Sequence, residues 1–365
     1  MTGPGLHDDA VVAAGLVREI SAASGRLGKP ATFMEVCGTH THAVAGAGLR
    51  QMLPDRVRLI SGPGCPVCVT PVGFLDRAIA LASRPDTTVA TFGDLMRVPS
   101  SSVALERARA DGASVEVVYS PRDAVQLAAA RPGRRIVFLA IGFETTTPTI
   151  AAALAEAESL GLANFLILPG NKMMPPPMRV LVDDPELQID GFLLPGHVSV
   201  LTGWHAFRFL AHEHGIPGAV VGFEPADVLR GVAELLRQRA EGRAEVVNLY
   251  GRAVSDDGNR IAAGLVDRFF RPSTSHWRGF GPIPDSGLAL REEWTHRDAG
   301  RIEVELPEPH EPEGCLCGSV LRGVVDPPEC PLFGSACTPE SPVGACMVSA
   351  EGTCAAWYRH EWWAS

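Results

Sequence analysis

The sequence predicts an α/β protein with parallel sheets in more than one domain, followed by a small irregular C-terminal module rich in cysteine. Short β-rich apolar runs alternate with Ala/Leu-rich helical stretches between residues 57 and 242. Many of those runs end in glycine, or in Pro-Gly, followed by a polar residue. The composition then shifts after Arg271, and six cysteines crowd between Cys315 and Cys354. Strands alternating with helices are the pattern of parallel α/β layers.

In chain order, the runs 57-VRLI-60, 88-TVATFGD-94, 115-VEVVYS-120, 135-RIVFLAIGFE-144, 164-NFLILPGNK-172, 190-DGFLLPGHVS-199 and 218-GAVVGFEP-225 are expected to be strands. Helical periodicity runs through 74-FLDRAIALAS-83, 102-SVALERARADG-112, 149-TIAAALAEAESLG-161 and 226-ADVLRGVAELLRQRAEG-242. From 271-RPSTSHWRGFGPIPDSG-287 to 307-PEPHEPEG-314 the chain turns rich in Pro, Gly, His and acids and is expected to be linker and surface loop. The expected division is 1–134 and 135–245 for the two α/β domains, 246–314 for a connecting helix and linker, and 315–365 for the cysteine module.

A chain of 365 residues exceeds what one hydrophobic core usually organises. With 46% hydrophobic and 20% charged residues, it has the balance of a folded globular protein. The 42 acidic against 32 basic residues give a net charge of -10, with no Lys/Arg block, which argues against nucleic acid as a partner. The opening MTGPGLHDDA lacks the basic start of a signal peptide, and no apolar run approaches the ~20 residues that span a bilayer. No membrane association is expected, and the expected location is the cytoplasm. Nine cysteines in a reducing compartment point to metal or redox chemistry more than to structural disulfides.

The strand exits echo one another. The runs 91-TFGD-94, 141-IGFE-144 and 221-VGFE-224 place an acid after glycine, while 165-FLILPGN-171 and 192-FLLPGHV-198 place a polar residue after Pro-Gly. Ligand crevices in open α/β sheets form at the carboxyl ends of strands, so Glu144, Thr145, Thr146 and His197 become candidates for moving protons or bonding a ligand. Each exit also makes an ordinary good turn.

Near the N-terminus, 33-FMEVCGTHTHAVAG-46 and 62-GPGCPVCV-69 hold three cysteines and two histidines. Cys65 and Cys68 form a C-x-x-C close enough to bridge as a disulfide or to chelate metal. Cys37 follows an apolar strand-like run, with Gly38 freeing the backbone; a buried packing cysteine has the same look. In an extended segment His40 and His42 would share one face, and nearby protonated imidazoles would favour a Cys37 thiolate. The C-x-x-x-C-x-x-C of radical S-adenosylmethionine chemistry and the Gly-Lys-Ser/Thr of a P-loop are absent.

The C-terminal thiols are Cys315, Cys317, Cys330, Cys337, Cys346 and Cys354, set among glycines and prolines. A backbone of that kind can wrap a compact inorganic centre and aim amide N–H groups at sulfur. Zinc modules usually present paired C-x-x-C knuckles, which this segment lacks, so an iron–sulfur cluster is favoured over structural zinc. Four thiolates hold a [4Fe-4S] cluster, leaving two over. The six-cysteine arrangement opened by C-x-C resembles that of ferredoxin:thioredoxin reductase, in which a redox-active disulfide lies against the cluster.

Taken together, MEVCGTHTHA, GPGCPVCV, GFETTTPT, LPGHVSVLTG and CPLFGSACTPESPVGACMVSAEGTCAAWY closely resemble the HypD family of hydrogenase maturation factors, from about Phe33 to Tyr358. The resemblance implies two parallel-sheet α/β domains facing a central cleft with the cluster domain beside them, forming a scaffold, rather than a turnover enzyme, on which the Fe(CN)2CO unit of [NiFe]-hydrogenases is put together. It implies partnership with the chaperone HypC, cyanide from the HypF/HypE system, and delivery to the hydrogenase large subunit. Carried over by motif, Cys37 would share the iron with a cysteine of HypC, and Cys65 and Cys68 would bind the iron or relay electrons. Cys315, Cys330, Cys337 and one of Cys346 or Cys354 would hold the [4Fe-4S] cluster, with Cys317 paired to the other. The competing expectation is an iron–sulfur thiol–disulfide reductase acting on a client protein.

Overall fold

The computed structural model describes residues 5–362; Met1–Pro4 of the N-terminal stretch lies outside the described residues. Its strands in chain order are β1 (Ala31–Glu35), β2 (Val57–Ser61), β3 (Thr87–Thr91), β4 (Val115–Val117), β5 (Arg135–Ala140), β6 (Phe165–Pro169), β7 (Gly191–Pro195), β8 (Gly218–Val221), β9 (Val246–Asn248), β10 (Phe270–Trp277) and β11 (Gly281–Leu290). Two all-parallel sheets form, β2-β1-β7-β8-β9 and β4-β3-β5-β6, with β10 and β11 as an antiparallel hairpin. Residues along β3, β5 and β7 are buried almost throughout, as strands covered by helices on both faces must be. Phe33, Phe138, Phe165 and Phe192 have no exposed surface and anchor the two sheets' cores.

Sheet membership cuts across the division expected at residue 134. Strands β1 and β2 belong with β7–β9, while β3 and β4 belong with β5 and β6. The chain starts the first sheet, leaves to build the whole of the second, and returns at β7, which pairs with β1 through Phe33↔Gly191 and Glu35↔Leu193. Hydrophobic periodicity marks strands; it does not carry their partners. The two neighbours of β1 are thus far apart in sequence, and the carboxyl end of β1 becomes a topological switch point.

Two local expectations are corrected. Residues 39–42 are helical, within Gly38–Gly46, so His40 and His42 point to different sides: His40 is buried and His42 is exposed. Two positions apart on a helix means about 200° of rotation, whereas on a strand it means the same face. The stretch from Arg271 to Gly287 is a hairpin rather than linker, with an irregularity between Ser273 and Ser275. Its prolines and glycines are tolerated because a two-stranded ribbon is all edge. The segment after Gly314 is irregular, apart from short helices at Cys317–Arg322 and Thr353–His360. Among the described residues no helix is long and apolar enough to cross a membrane.

Candidate functional site

Four elements of the first sheet end beside one another. β1 runs into Cys37, β2 into 62-GPGC-65, β7 into His197, and β8 into Phe223. Cys37 caps the helix Gly38–Gly46 with an extended backbone at φ -145 and ψ 124. The Cys65 loop packs directly on it: Gly38 N donates to Gly64 O at 2.9 Å, and a Cβ on Gly64 would lie 2.5 Å from Cys37 Cα. Glycine is required at 64 by this close backbone approach.

Cys65 and Cys68 are joined as a disulfide, with their Cα atoms 5.3 Å apart. In that form neither sulfur is free to bind metal. Cys68 O accepts from Nε of Arg278 at 3.1 Å, and Thr70 O accepts from Nη2 at 2.9 Å, so a buried guanidinium at the hairpin tip fixes the loop. Among the described residues no three Cys, His, Asp or Glu converge on one point as ligands of a single metal ion.

Burial pushes the Cys37 thiol up to about 12, with the Glu351 and Glu35 carboxylates adding to the rise. Backbone N–H groups of His40 and Thr39 pull the other way, as the first turn of a helix does for an anion. His40 supplies no positive charge to the thiol, against expectation. Burial holds His40 down to about 4; its Nε2 bonds Gly222 O at 2.9 Å and its Nδ1 is buried without a partner. His197 does meet His40, across an aromatic ring: Phe223 stacks on His40 at 4.7 Å and on His197 at 3.8 Å. His42 lies on the outer side, edge-on to His360.

Glu144, Thr145 and Thr146 sit elsewhere, at the exit of β5 in the second sheet. Glu144 accepts Met174 N at 2.9 Å through Oε1, its Oε2 is buried without a partner, and burial raises it to about 7. It lines a largely apolar cavity of about 300 Å³ with Thr147, Met173, Leu201 and Val266. Leu201 comes from the helix that begins at Gly196, so the cavity spans both sheets, but the described contacts include none between Glu144 and Cys37.

Two carboxylates escaped the sequence reasoning. Glu35 is fully buried beneath Cys37, accepting from Thr41 Oγ1 at 2.6 Å and from Cys37 N at 3.3 Å; burial raises it to about 7. An acid inside the apolar run FMEV was the available signal. Glu351 reaches over from the cysteine module to accept Thr39 Oγ1 at 2.8 Å. Nothing local in the sequence pointed to it.

All six C-terminal cysteines line one small pocket with Phe333, Gly344 and Met347. Cys317 and Cys346 sulfurs lie 2.6 Å apart, and Cys315, Cys330, Cys337 and Cys354 are the other four. Hydrogen bonds from Cys315 and Cys346 pull the Cys317 thiol well below its ordinary range, and burial pushes Cys346 well above. Val343 N donates to Cys337 Sγ at 3.3 Å. Four remaining thiols and amide-to-sulfur bonds in a dry pocket fit a [4Fe-4S] cluster, whose ligands stand at separate corners and do not meet on one ion.

Fold and site define a class: a two-sheet α/β protein with a disulfide loop packed on a buried cysteine at the carboxyl ends of one sheet's strands, covered by a six-cysteine module. The family model described as "HypD: Hydrogenase formation hypA family" matches residues 11–361. The hydrogenase maturation factor HypD of Rhodobacter capsulatus is 44% identical, covering 96% of each chain. That of Rhizobium leguminosarum bv. viciae is 46% identical over 97% of this chain and 94% of its own, and that of Escherichia coli K12 is 44% identical over 91% and 90%. The chain belongs to the HypD family of hydrogenase maturation factors.

Proposed function

We propose that this protein is the scaffold on which, with HypC docked over the Cys37 loop, the Fe(CN)2CO unit is assembled before it passes to the hydrogenase large subunit. HypE, supplied by HypF, brings the cyanide. The observation that carries this is the packing of the Cys65–Cys68 loop on the backbone of Cys37, at the switch point of the first sheet. A soft thiolate suits low-spin ferrous iron, and one protein thiolate shared with a partner's holds the iron loosely enough to release it.

The thiol of Cys37 stays protonated at neutral pH, so iron binding must displace a proton from Sγ. The N–H groups of Thr39 and His40 then stabilise the thiolate that remains. Neutral His40 stacks on Phe223, which also stacks on His197, so three rings pack together behind the first turn of the helix that Cys37 caps. Reducing the Cys65–Cys68 disulfide to two thiols takes two electrons and two protons. Cys315, Cys330, Cys337 and Cys354 would hold the [4Fe-4S] cluster, which supplies single electrons when bound.

The Cys65–Cys68 disulfide also favours a second reading, a thiol–disulfide reductase acting on a client protein. Infrared spectroscopy of the anaerobically isolated pair with HypC separates them. Cyanide and carbonyl stretching bands support the scaffold; a redox-active protein with no such bands supports the reductase.

A further inference from the structure

The closure of Cys37 has a specific author in the chain. Cys37 is only 9% exposed, and Glu351 lies on the residue that follows it. A Cβ on Gly38 would lie 2.5 Å from Glu351 Cβ and 2.9 Å from its Oε2, so Glu351 occupies the space above the loop. Its carboxylate is held there by Thr39 Oγ1, and its backbone N–H donates to Ser349 Oγ at 3.3 Å, which in turn donates to Asp94 Oδ2 at 2.9 Å.

Glu351 stands at the entry of the helix Thr353–His360, which carries Cys354 in its first turn and packs on Gly38–Gly46. The far end of that helix is fastened by Arg50. One guanidinium nitrogen pairs with the buried Glu361, another donates to Ser61 Oγ at 2.9 Å and lies 3.9 Å from Glu35, and Nε donates to Leu59 O at 3.0 Å. Trp357 lies under the guanidinium at 5.4 Å. One cation between two buried carboxylates thus ties the last helix to the floor of the Cys37 loop.

We propose that Glu351 is the access-determining residue of the Cys37 site, a cover set by the seating of the last helix and latched at its far end by Arg50 between Glu361 and Glu35. Whatever binds Cys37, cargo or partner, must displace this cover. The cover belongs to the segment that joins Cys346 to Cys354, so the cysteine pocket and the Cys37 site share one structural element. The inference rests on Cys37 being the working thiol, but its test reads covalent labelling, which needs no iron, and it can fail while that reading stands.

The test uses full-length protein, N-ethylmaleimide as the probe, peptide mass mapping to follow Cys37, and far-UV circular dichroism as the control for folding. Glu351→Ala removes the cover, and Gly38→Ala wedges it away while keeping its charge; each is expected to speed Cys37 labelling about tenfold by favouring local opening. Glu351→Gln keeps the shape and is expected to stay within about threefold of the parent. Arg50→Met frees the far end and speeds labelling, and Arg50→Lys, which keeps the cation, restores the slow rate. Should Gly38→Ala misfold, the contrast between Glu351→Ala and Glu351→Gln still decides. Unchanged labelling in Glu351→Ala, or equal acceleration in Glu351→Gln, overturns the cover; unchanged labelling in Arg50→Met overturns the latch.

Discussion

Gly64 lies backbone against backbone on Cys37, with its Cα hydrogen where any other residue would drive a Cβ to within 2.5 Å of Cys37 Cα. The thiol loop and the thiol it would serve are therefore set by one contact. Gly64→Ala is expected to push the loop away, at a stability cost of about 1–3 kcal/mol from overpacking. Urea unfolding measures the cost, and labelling of Cys37 before and after substitution measures the shift; an unchanged midpoint would show that the contact yields freely.

Cys65 and Cys68 form a disulfide and no sulfur of the pair is free in that state. Alkylation with mass mapping is expected to modify both only after reduction. Equal modification with and without reductant would end the electron-relay role and leave metal ligation.

Among the six C-terminal thiols, Cys317 and Cys346 have their sulfurs 2.6 Å apart. Serine at Cys317 or Cys346 is expected to leave the visible absorption of a [4Fe-4S] cluster in anaerobic protein, whereas serine at Cys315, Cys330, Cys337 or Cys354 is expected to abolish or strongly reduce it. Loss of absorption in Cys317→Ser alone would move that residue into the ligand set.

Glu144 gives a pH signature that does not depend on the iron chemistry. Burial raises it from 4.5 to about 7, so the folded protein binds a proton there that the unfolded chain has released. Its contribution is full below about pH 4.5 and is lost as pH rises through about 7, the direction required when the folded form binds more protons. Glu144→Gln cannot ionise, so its stability relative to the parent should climb across that window, by at most ~3 kcal/mol. Chemical denaturation at pH 5 and pH 8 measures it. A difference that does not change between the two would mean Glu144 is solvated in the fold.

Much of this molecule was legible from its residues because parallel strands buried on both faces write continuous apolar runs, and their exits write glycine. Strands β2 to β8 appear where those runs stand. What periodicity could not carry was pairing: nothing near Phe33 says that Gly191 will lie beside it, so sheet membership was misjudged at residue 134. The helix at Gly38–Gly46 was hidden by alternating Thr and His, residues of weak helical preference that the packing of the last helix overrides. Glu351, more than three hundred positions from Cys37, is a tertiary neighbour only. By contrast the Cys65–Cys68 loop needed no partner information, since C-x-x-C spacing brings its own sulfurs together.

The central claim is that Cys37 is the thiolate on which the iron unit is built, with the cysteine pocket an accessory that stands without it. Serine at 37 exchanges a soft ligand for a hard, protonated one of nearly the same shape and leaves the contacts of Gly38, Gly64 and Glu35 in place. The decisive measurement is the infrared spectrum of the Cys37→Ser protein isolated anaerobically with HypC. The account expects the cyanide and carbonyl bands of the parent complex to vanish while the visible absorption of the C-terminal cluster persists. Bands at full intensity in the serine variant would contradict it, and would move the iron to Cys65 and Cys68.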